Sequence, residues 1–320
     1  MIVGAIDIGG TKIAIGLVDD GGKILGKDVF PTAPDSGLGA GISHMAASLH
    51  RLCSRAGVRP AAIGIGCTGP VDPRTGVLGP NEFLPGWEAA NLIEAFNAAF
   101  GVRVGLENDA DAAALAEAEW GSGRGKKQFI YLTVSTGIGG GILLDGRLYR
   151  GVAGAHPEIG HHILDPSGPL CNCGAHGCWE SLASGPALAH WFNAQAGLTP
   201  GMGSPNGMDP SRAALDARQV CELADTGHPL ARRAVQREAY YLGLGIANLV
   251  SLFIPQTIAL GGGVMNRWEL FEPEVRRIVR QSCGLVPYEK TELVLASMGV
   301  DTGLAGAACI GLRIAQDLVV

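Results

Sequence analysis

The tightest group of reactive side chains is His161, Cys171, Cys173 and Cys178, spaced H-x9-C-x-C-x4-C within HPEIGHHILDPSGPLCNCGAHGCWE. One imidazole and three thiolates match the tetrahedral nitrogen–sulfur preference of a closed structural Zn2+ site. Gly174 and Gly177 allow the tight turns that such spacing demands. His162 and His176 are alternative nitrogen donors to the same cluster. Glu158 and Glu180 bracket it and, as polar residues in an apolar setting, are candidate acceptors for substrate hydroxyls.

Three glycine clusters supply a different chemistry. In Asp7-Ile8-Gly9-Gly10-Thr11-Lys12 the paired glycines leave backbone N–H groups bare between two strands, and such a turn can wrap phosphate oxygens. Thr11 adds a hydroxyl donor, and Asp7 could hold Mg2+ directly or through water. A plain hairpin turn capped by Asp7 is the alternative. Ser135-Thr136-Gly137-Ile138-Gly139-Gly140-Gly141 is again flanked by strands. Its glycine spacing and following strand exclude a dinucleotide-binding fingerprint. Gly125-Lys126 is no Walker A loop either, because Trp120 stands at the required first glycine and Lys127 replaces Ser/Thr. Two hairpin loops on similar lobes fit a nucleotide triphosphate held from both sides. In the third cluster, Gly261, Gly262 and Gly263 end a strand where a purine could lie against bare backbone. Finally, Glu107-Asn108-Asp109 closes a strand and opens a helix. Asp109 there is either a helix cap or a carboxylate placed to take a proton from a hydroxyl.

These residues need a scaffold, and the pattern is α/β. IVGAIDI, KIAIGLVD and KILGKDVF read as three strands separated by Gly9-Gly10 and Asp20-Gly21-Gly22. Helical patterns over 38–57 and 88–100 alternate with strands at 61–67 and 102–107, and an Ala-rich helix starts near 109. The expected first lobe covers residues 1–120, completed by a closing helix at 301–320. The second lobe covers 121–300: it opens on FIYLTV, carries the Cys/His loop, and includes a long helix over 228–252 and a strand at 256–262. Residues 196–211 hold too much Gly and Pro for regular structure. Each lobe opens with a strand, a Gly-rich turn and another strand.

Composition narrows the class. With 47% apolar and 17% charged residues, the chain can bury a substantial core and is neither disordered nor fibrous. Thirty acids against 24 bases give −6, so no general basic surface exists to grip nucleic acid. Glycine reaches 49 of 320, about twice the ordinary ~7%. No run approaches the ~18 apolar residues of a membrane helix. MIVGAIDIGG lacks a basic start and carries Asp7, so a secretory signal is not expected. Cys53, Cys67, Cys221, Cys283 and Cys309 sit singly in apolar stretches and read as buried thiols. The expected compartment is the cytoplasm.

Taken in order, DIGGTK, GPVDPRTG, LPGW, ENDADAAALAE, STGIGGGI, EIGH, CNCGAHGCWE and IALGGGV resemble the ROK (repressors, open reading frames and kinases) sugar kinases over nearly the whole chain. The resemblance implies the two-lobed actin-like ATPase (ribonuclease-H-like) fold, with nucleotide and sugar in the interlobe cleft. It implies Asp109 as the general base acting on the sugar hydroxyl that attacks the γ-phosphate of ATP. Asn108, Glu158, His161 and Glu180 would bind sugar hydroxyls, with Gly69 and Asn81 near the sugar's C2 side. Gly9, Gly10, Thr11 and Lys12 would face the phosphates, Thr136 and Gly137 opposite them, and Gly262 and Gly263 would line the adenine side. His161 would offer one ring nitrogen to zinc and the other to sugar.

Small-molecule partners are then a hexose and ATP with Mg2+, and a homodimer is expected. The implied activity is phosphorylation of a hexose at its 6-hydroxyl, glucose first. N-acetylmannosamine or N-acetylglucosamine kinase is the runner-up within the family. The family's sugar-responsive repressors carry an N-terminal helix-turn-helix domain, whereas Asp7 lies almost at the start of this sequence, which favours the kinase. Ser135 and the pair Glu82-Phe83 depart from the common family pattern, the latter close to the sugar residues.

Overall fold

The computed structural model describes residues 1–198 and 214–318. Most of the glycine- and proline-rich segment, from residue 199 to 211, therefore lies outside the described residues. The described residues form two compact units: Met1–Tyr131 with Gly141–Pro157 and Ala296–Val320, and Leu132–Gly140 with Glu158–Leu295.

In the first unit, strands β1 (Ile2–Ile8), β2 (Lys12–Asp19), β3 (Ile24–Pro31), β4 (Ala62–Cys67) and β7 (Arg103–Asn108) form a sheet ordered β3-β2-β1-β4-β7. β2 runs antiparallel to β1 and β3, while β4 and β7 run parallel to β1. The strand ends carrying Asp7 and Asn108 therefore point the same way. The short strands β5 (Val71–Asp72) and β6 (Val77–Leu78) form a ribbon between β4 and helix α2 (Leu92–Phe100).

Strand alternation sends the two faces of this sheet to different partners. Ile6, Ile8, Ile13, Ile15, Ile63 and Ile65 pack with Met45 and Leu49 of α1 (Leu38–Ala56) and Phe96 of α2. Val3, Ala5, Ala14 and Val18 pack on Leu304, Ala307, Ala308 and Leu312 of α9 (Thr302–Ala315). The second face is lined with small residues because α9 lies almost on the backbone. A methyl group at Gly64 would collide with the Ala307 carbonyl oxygen and the Gly311 amide. Helix α3 (Asp109–Glu119) follows β7 directly and packs along α9. Its far end is tied down by Glu117, fully buried, which accepts from the amides of Ser122, Ser297 and Met298 at 2.8 Å each.

A second sheet has the order β10-β9-β8-β11-β12, from β8 (Phe129–Val134), β9 (Ile138–Leu144), β10 (Arg147–Leu148), β11 (Thr257–Gly261) and β12 (Glu292–Leu295). The division between the compact units passes through β8 and β9. Around the second unit's strands lie α4 (Trp179–Ala183), α5 (Gly185–Ala196), α6 (Ala217–Asp225), α7 (Pro229–Phe253) and α8 (Trp268–Ser282). The helix expected from 88 starts only at Leu92, because Asn91 caps it: its side chain accepts from the Glu94 amide at 3.0 Å. Of the five solitary cysteines, Cys53 is only partly buried and the other four are buried as expected. Among the described residues no helix is long and apolar enough to cross a membrane.

Candidate functional site

The first unit's candidate residues gather at the ends of β1, β4 and β7. The Gly9 amide donates to the Lys12 carbonyl at 3.0 Å, closing the turn between β1 and β2. Thr32 holds it from beside, its hydroxyl donating to Gly9 O at 2.6 Å. Asp7, the last polar residue of β1, lies against the start of α9, where a Cβ on Gly303 would come within 2.5 Å of its Oδ2. Burial pushes the Asp7 carboxyl up to about 7, and the charges of Asp109 and Asp301 add to this while Lys12 opposes it. The same two carboxylates act on Cys67, whose thiol is raised by burial first and by Asp109 and Asp7 after it. Asp7, Cys67 and Asp109 are thus neighbours, as the parallel strands require.

Asn108 caps α3: its side-chain oxygen accepts from the Ala110 amide at 2.9 Å, and Asp109 Oδ1 accepts from the same amide at 2.9 Å. Capping therefore falls chiefly to Asn108, which also donates to Gly69 O at 3.3 Å. Gly69 has φ +87, and a side chain there would run into Asn81. Asn81 in turn donates to Thr68 O at 2.8 Å and accepts from the Phe83 amide at 2.9 Å. Gly69, Asn81 and Asn108 form one linked group. Phe83, of the departing pair Glu82-Phe83, packs against Gly10 and is half exposed.

Behind this front lies a buried ionic cluster that the sequence pattern did not reveal. Arg150 bonds both Glu107 Oε2 and Asp111 Oδ2, and His156 Nδ1 lies 2.6 Å from the same Asp111 oxygen. Burial outweighs the Arg150 guanidinium and lifts Glu107 to about 7, with the charge of Asp111 adding. No sequence spacing signals these contacts, since the partners lie 39 to 45 residues apart.

In the second unit the ligating atoms of His161, Cys171, Cys173 and Cys178 all fall within 4.8 Å of one another. Cys171 Sγ is 3.5 Å from His161 Nδ1, and Cys173 Sγ is 3.5 Å from Cys178 Sγ. Tetrahedral Zn–S bonds of ~2.3 Å put neighbouring sulfurs ~3.8 Å apart, so the cage has the right size and donors for zinc. The alternative nitrogen donors are engaged elsewhere: His162 Nδ1 with Ile159 O at 2.6 Å, His176 Nδ1 with Gly168 O at 3.1 Å. The His161 amide donates to Glu158 O at 3.0 Å, which fixes the step between them. Glu180 Oε2 accepts from the Ile138 amide at 2.9 Å, and its carboxylate lies directly over Gly137.

Thr136 and Gly263 line one cavity of about 710 Å³, together with Gly185, Ala217, Cys221 and Arg267. Gly262 next to it has φ +90, and a Cβ there would strike the Val134 backbone. The second and third glycine clusters of the sequence therefore both reach one pocket, through Ser135-Thr136 and Gly263, beside residues of α5 and α6. Its size and mixed lining suit a nucleoside.

The model of the ROK family matches residues 3–313. The chain belongs to the ROK family. It is 36% identical over 318 residues to a glucokinase of Streptomyces coelicolor, covering 95% of each chain. Among solved structures it is similar to a ROK hexokinase from Thermus thermophilus, with a TM-score of 0.84, 38% identity, and 99% and 100% of the two chains covered. It is also similar to a ROK family glucokinase from Streptomyces griseus in complex with glucose and AMPPNP, with a TM-score of 0.79 and 32% identity over 98% and 100% of the chains. The fold is the actin-like ATPase fold of the ROK sugar kinases.

Proposed function

We propose that this protein is an ATP-dependent glucokinase that phosphorylates glucose at its 6-hydroxyl. The observation that carries the reading is its similarity, over nearly the full length of both chains, to a ROK glucokinase with glucose and an ATP analogue bound. Phosphoryl transfer leaves a protein mostly positioning and charge neutralisation to do. Asp109, at the start of α3, takes the proton from the attacking hydroxyl. Asn108, Glu158, His161 and Glu180 bind the other sugar hydroxyls, and Gly69 and Asn81 border the C2 side. The Gly9-Gly10 turn, the Thr11 hydroxyl and the Lys12 ammonium face the phosphates from the first unit. Thr136 and Gly137 do so from the second, with Gly262 and Gly263 beside the adenine.

Asp7 suits the Mg2+ that accompanies ATP, because a cation relieves the repulsion it feels from Asp109 and Asp301. Zinc held by His161, Cys171, Cys173 and Cys178 is structural: four protein ligands leave no open coordination position. Zinc on His161 Nδ1 leaves Nε2 for a sugar hydroxyl and fixes the ring's orientation. An ADP-release assay across glucose, mannose, fructose and the N-acetylhexosamines tests the reading. Glucose should give the highest kcat/KM. A value for N-acetylmannosamine tenfold above that for glucose would move the substrate assignment and leave the family intact.

A further inference from the structure

The turn from β7 into α3 carries Asn108 and Asp109 on its front, and what braces it from behind is Arg150. In a strand, residues 106 and 108 share one face and 107 the other. In a helix, positions 109 and 111 lie about 200° apart around the axis. Glu107 therefore turns away from Asn108, and Asp111 away from Asp109, one on each side of the turn. Arg150 joins them, and its planar fork offers separate N–H groups to the two carboxylates.

The brace is dry. Side-chain exposure is 5% for Glu107, 0% for Asp111 and 17% for Arg150, so solvent screens these charges little. Asp111 hangs on one oxygen, since Oδ2 meets both Arg150 and His156 while Oδ1 is buried without a hydrogen-bond partner. Gly141 keeps the approach close: a Cβ there would lie 2.5 Å from Ala114 Cβ and 3.0 Å from Asp111 Oδ1. Gly141, Arg150 and His156 all belong to the returning segment Gly141–Pro157, which packs in the first unit.

We infer that Arg150 is a positioning residue: by tying Glu107 to Asp111 it fixes the strand–helix turn that aims Asp109 at the sugar hydroxyl. The inference rests on the proposed kinase reading with Asp109 as base. Its effect belongs on turnover, because it acts on the base, and should leave the KM for ATP alone.

The test is a double-mutant cycle on glucose phosphorylation, with wild-type turnover, melting temperature and glucose binding measured in parallel. Arg150→Met should lower kcat about 10- to 100-fold with the KM for ATP within threefold. Arg150→Lys keeps the charge but loses the two-pronged geometry, and should fall between. In the Asp109→Asn background, Arg150→Met should cost little more, since the residue it aims is already disabled. A folded Arg150→Met enzyme with kcat within twofold of wild type overturns the inference. So does a cycle in which the two losses simply multiply. Should Arg150→Met not fold, Asp111→Asn, which keeps the side chain's shape, takes its place in the same cycle, and unchanged kcat or multiplying losses overturn the inference there too. Wild-type protein that does not phosphorylate any hexose would instead sink the kinase reading itself.

Discussion

Two stretches hold the proposed sugar-binding side chains by opposite means. At the β7–α3 turn, Asn108 and Asp109 sit where a strand becomes a helix, braced by Glu107, Asp111, Arg150 and His156. Along residues 158–180, Glu158, His161 and Glu180 lie in chain that is largely irregular, gathered by one imidazole and three thiols. Regular structure fixes backbone direction cheaply, so the first stretch needs only a few buried charges to settle its last degrees of freedom. The second is held by short backbone turns, such as the Cys171 amide to Ala175 O and the Gly177 amide to Pro169 O at 2.8 Å each, and a metal on the four converging ligands would lock those turns together. The first stretch should therefore fail through its chemistry and the second through its fold.

The largest effect should come from Asp109, the proposed base. Asp109→Asn should lower kcat by ~10²–10⁴ while glucose and nucleotide dissociation constants stay within a few-fold. Asn still accepts from the Ala110 amide, so melting should barely change. Steady-state kinetics beside calorimetric titration check both halves, and near-normal kcat would remove Asp109 from its role.

The two stretches also differ in how far they are legible in the sequence. The cage lies within 18 residues, and Cys/His spacing of that kind is a local signal with a direct geometric meaning. Spacing does not say which histidine lies with the three thiols; in the fold it is His161. The alternating strands and glycine turns make the first sheet legible, because the pleat requires period two wherever a face is buried. Arg150 and His156 carry no such mark. An arginine after LY and a histidine before Pro157 look like surface residues until the fold brings them to Asp111. Glu117 is similar: in an Ala-rich helix it reads as a solvated charge, yet it is buried under backbone amides from residues 297 and 298. Long-range polar pairing is what linear patterns omit.

The second stretch gives a middle-sized effect of another kind. Metal analysis should find about one zinc per chain, as four converging ligands imply. Replacing Cys171 or Cys173 by Ser should lower the melting temperature by several degrees and raise the KM for sugar roughly tenfold or more. Both changes should appear together, because Glu158, His161 and Glu180 depend on the same loop. The KM for ATP should move less. Fully active protein that contains no zinc would erase the contrast between the two stretches.

The smallest effect concerns Asp7 and is one of sign. Burial and the nearby carboxylates hold its proton up to about 7, against an ordinary value of 3.8. Folding thus favours the protonated form, so the ligand-free protein should lose stability as pH climbs from about 4 towards 7. Glu107, also raised to about 7, acts in the same direction. In the proposed role Asp7 meets Mg2+ in its ionised form, so binding of Mg2+ with a nucleotide should strengthen over the same window. For a group titrating near 7, the ionised fraction rises about threefold between pH 6.5 and 7.5, and affinity should follow it. The nucleotide's own phosphate titrates near ~6, so wild type must be compared with Asp7→Asn rather than read alone. The Asn variant should bind more weakly overall and keep only the shallow slope that the phosphate supplies. Isothermal titration of Mg2+ with a non-hydrolysable ATP analogue measures both slopes. Equal slopes would mean that Asp7 does not meet the cation, and the charge at the end of β1 would need another purpose.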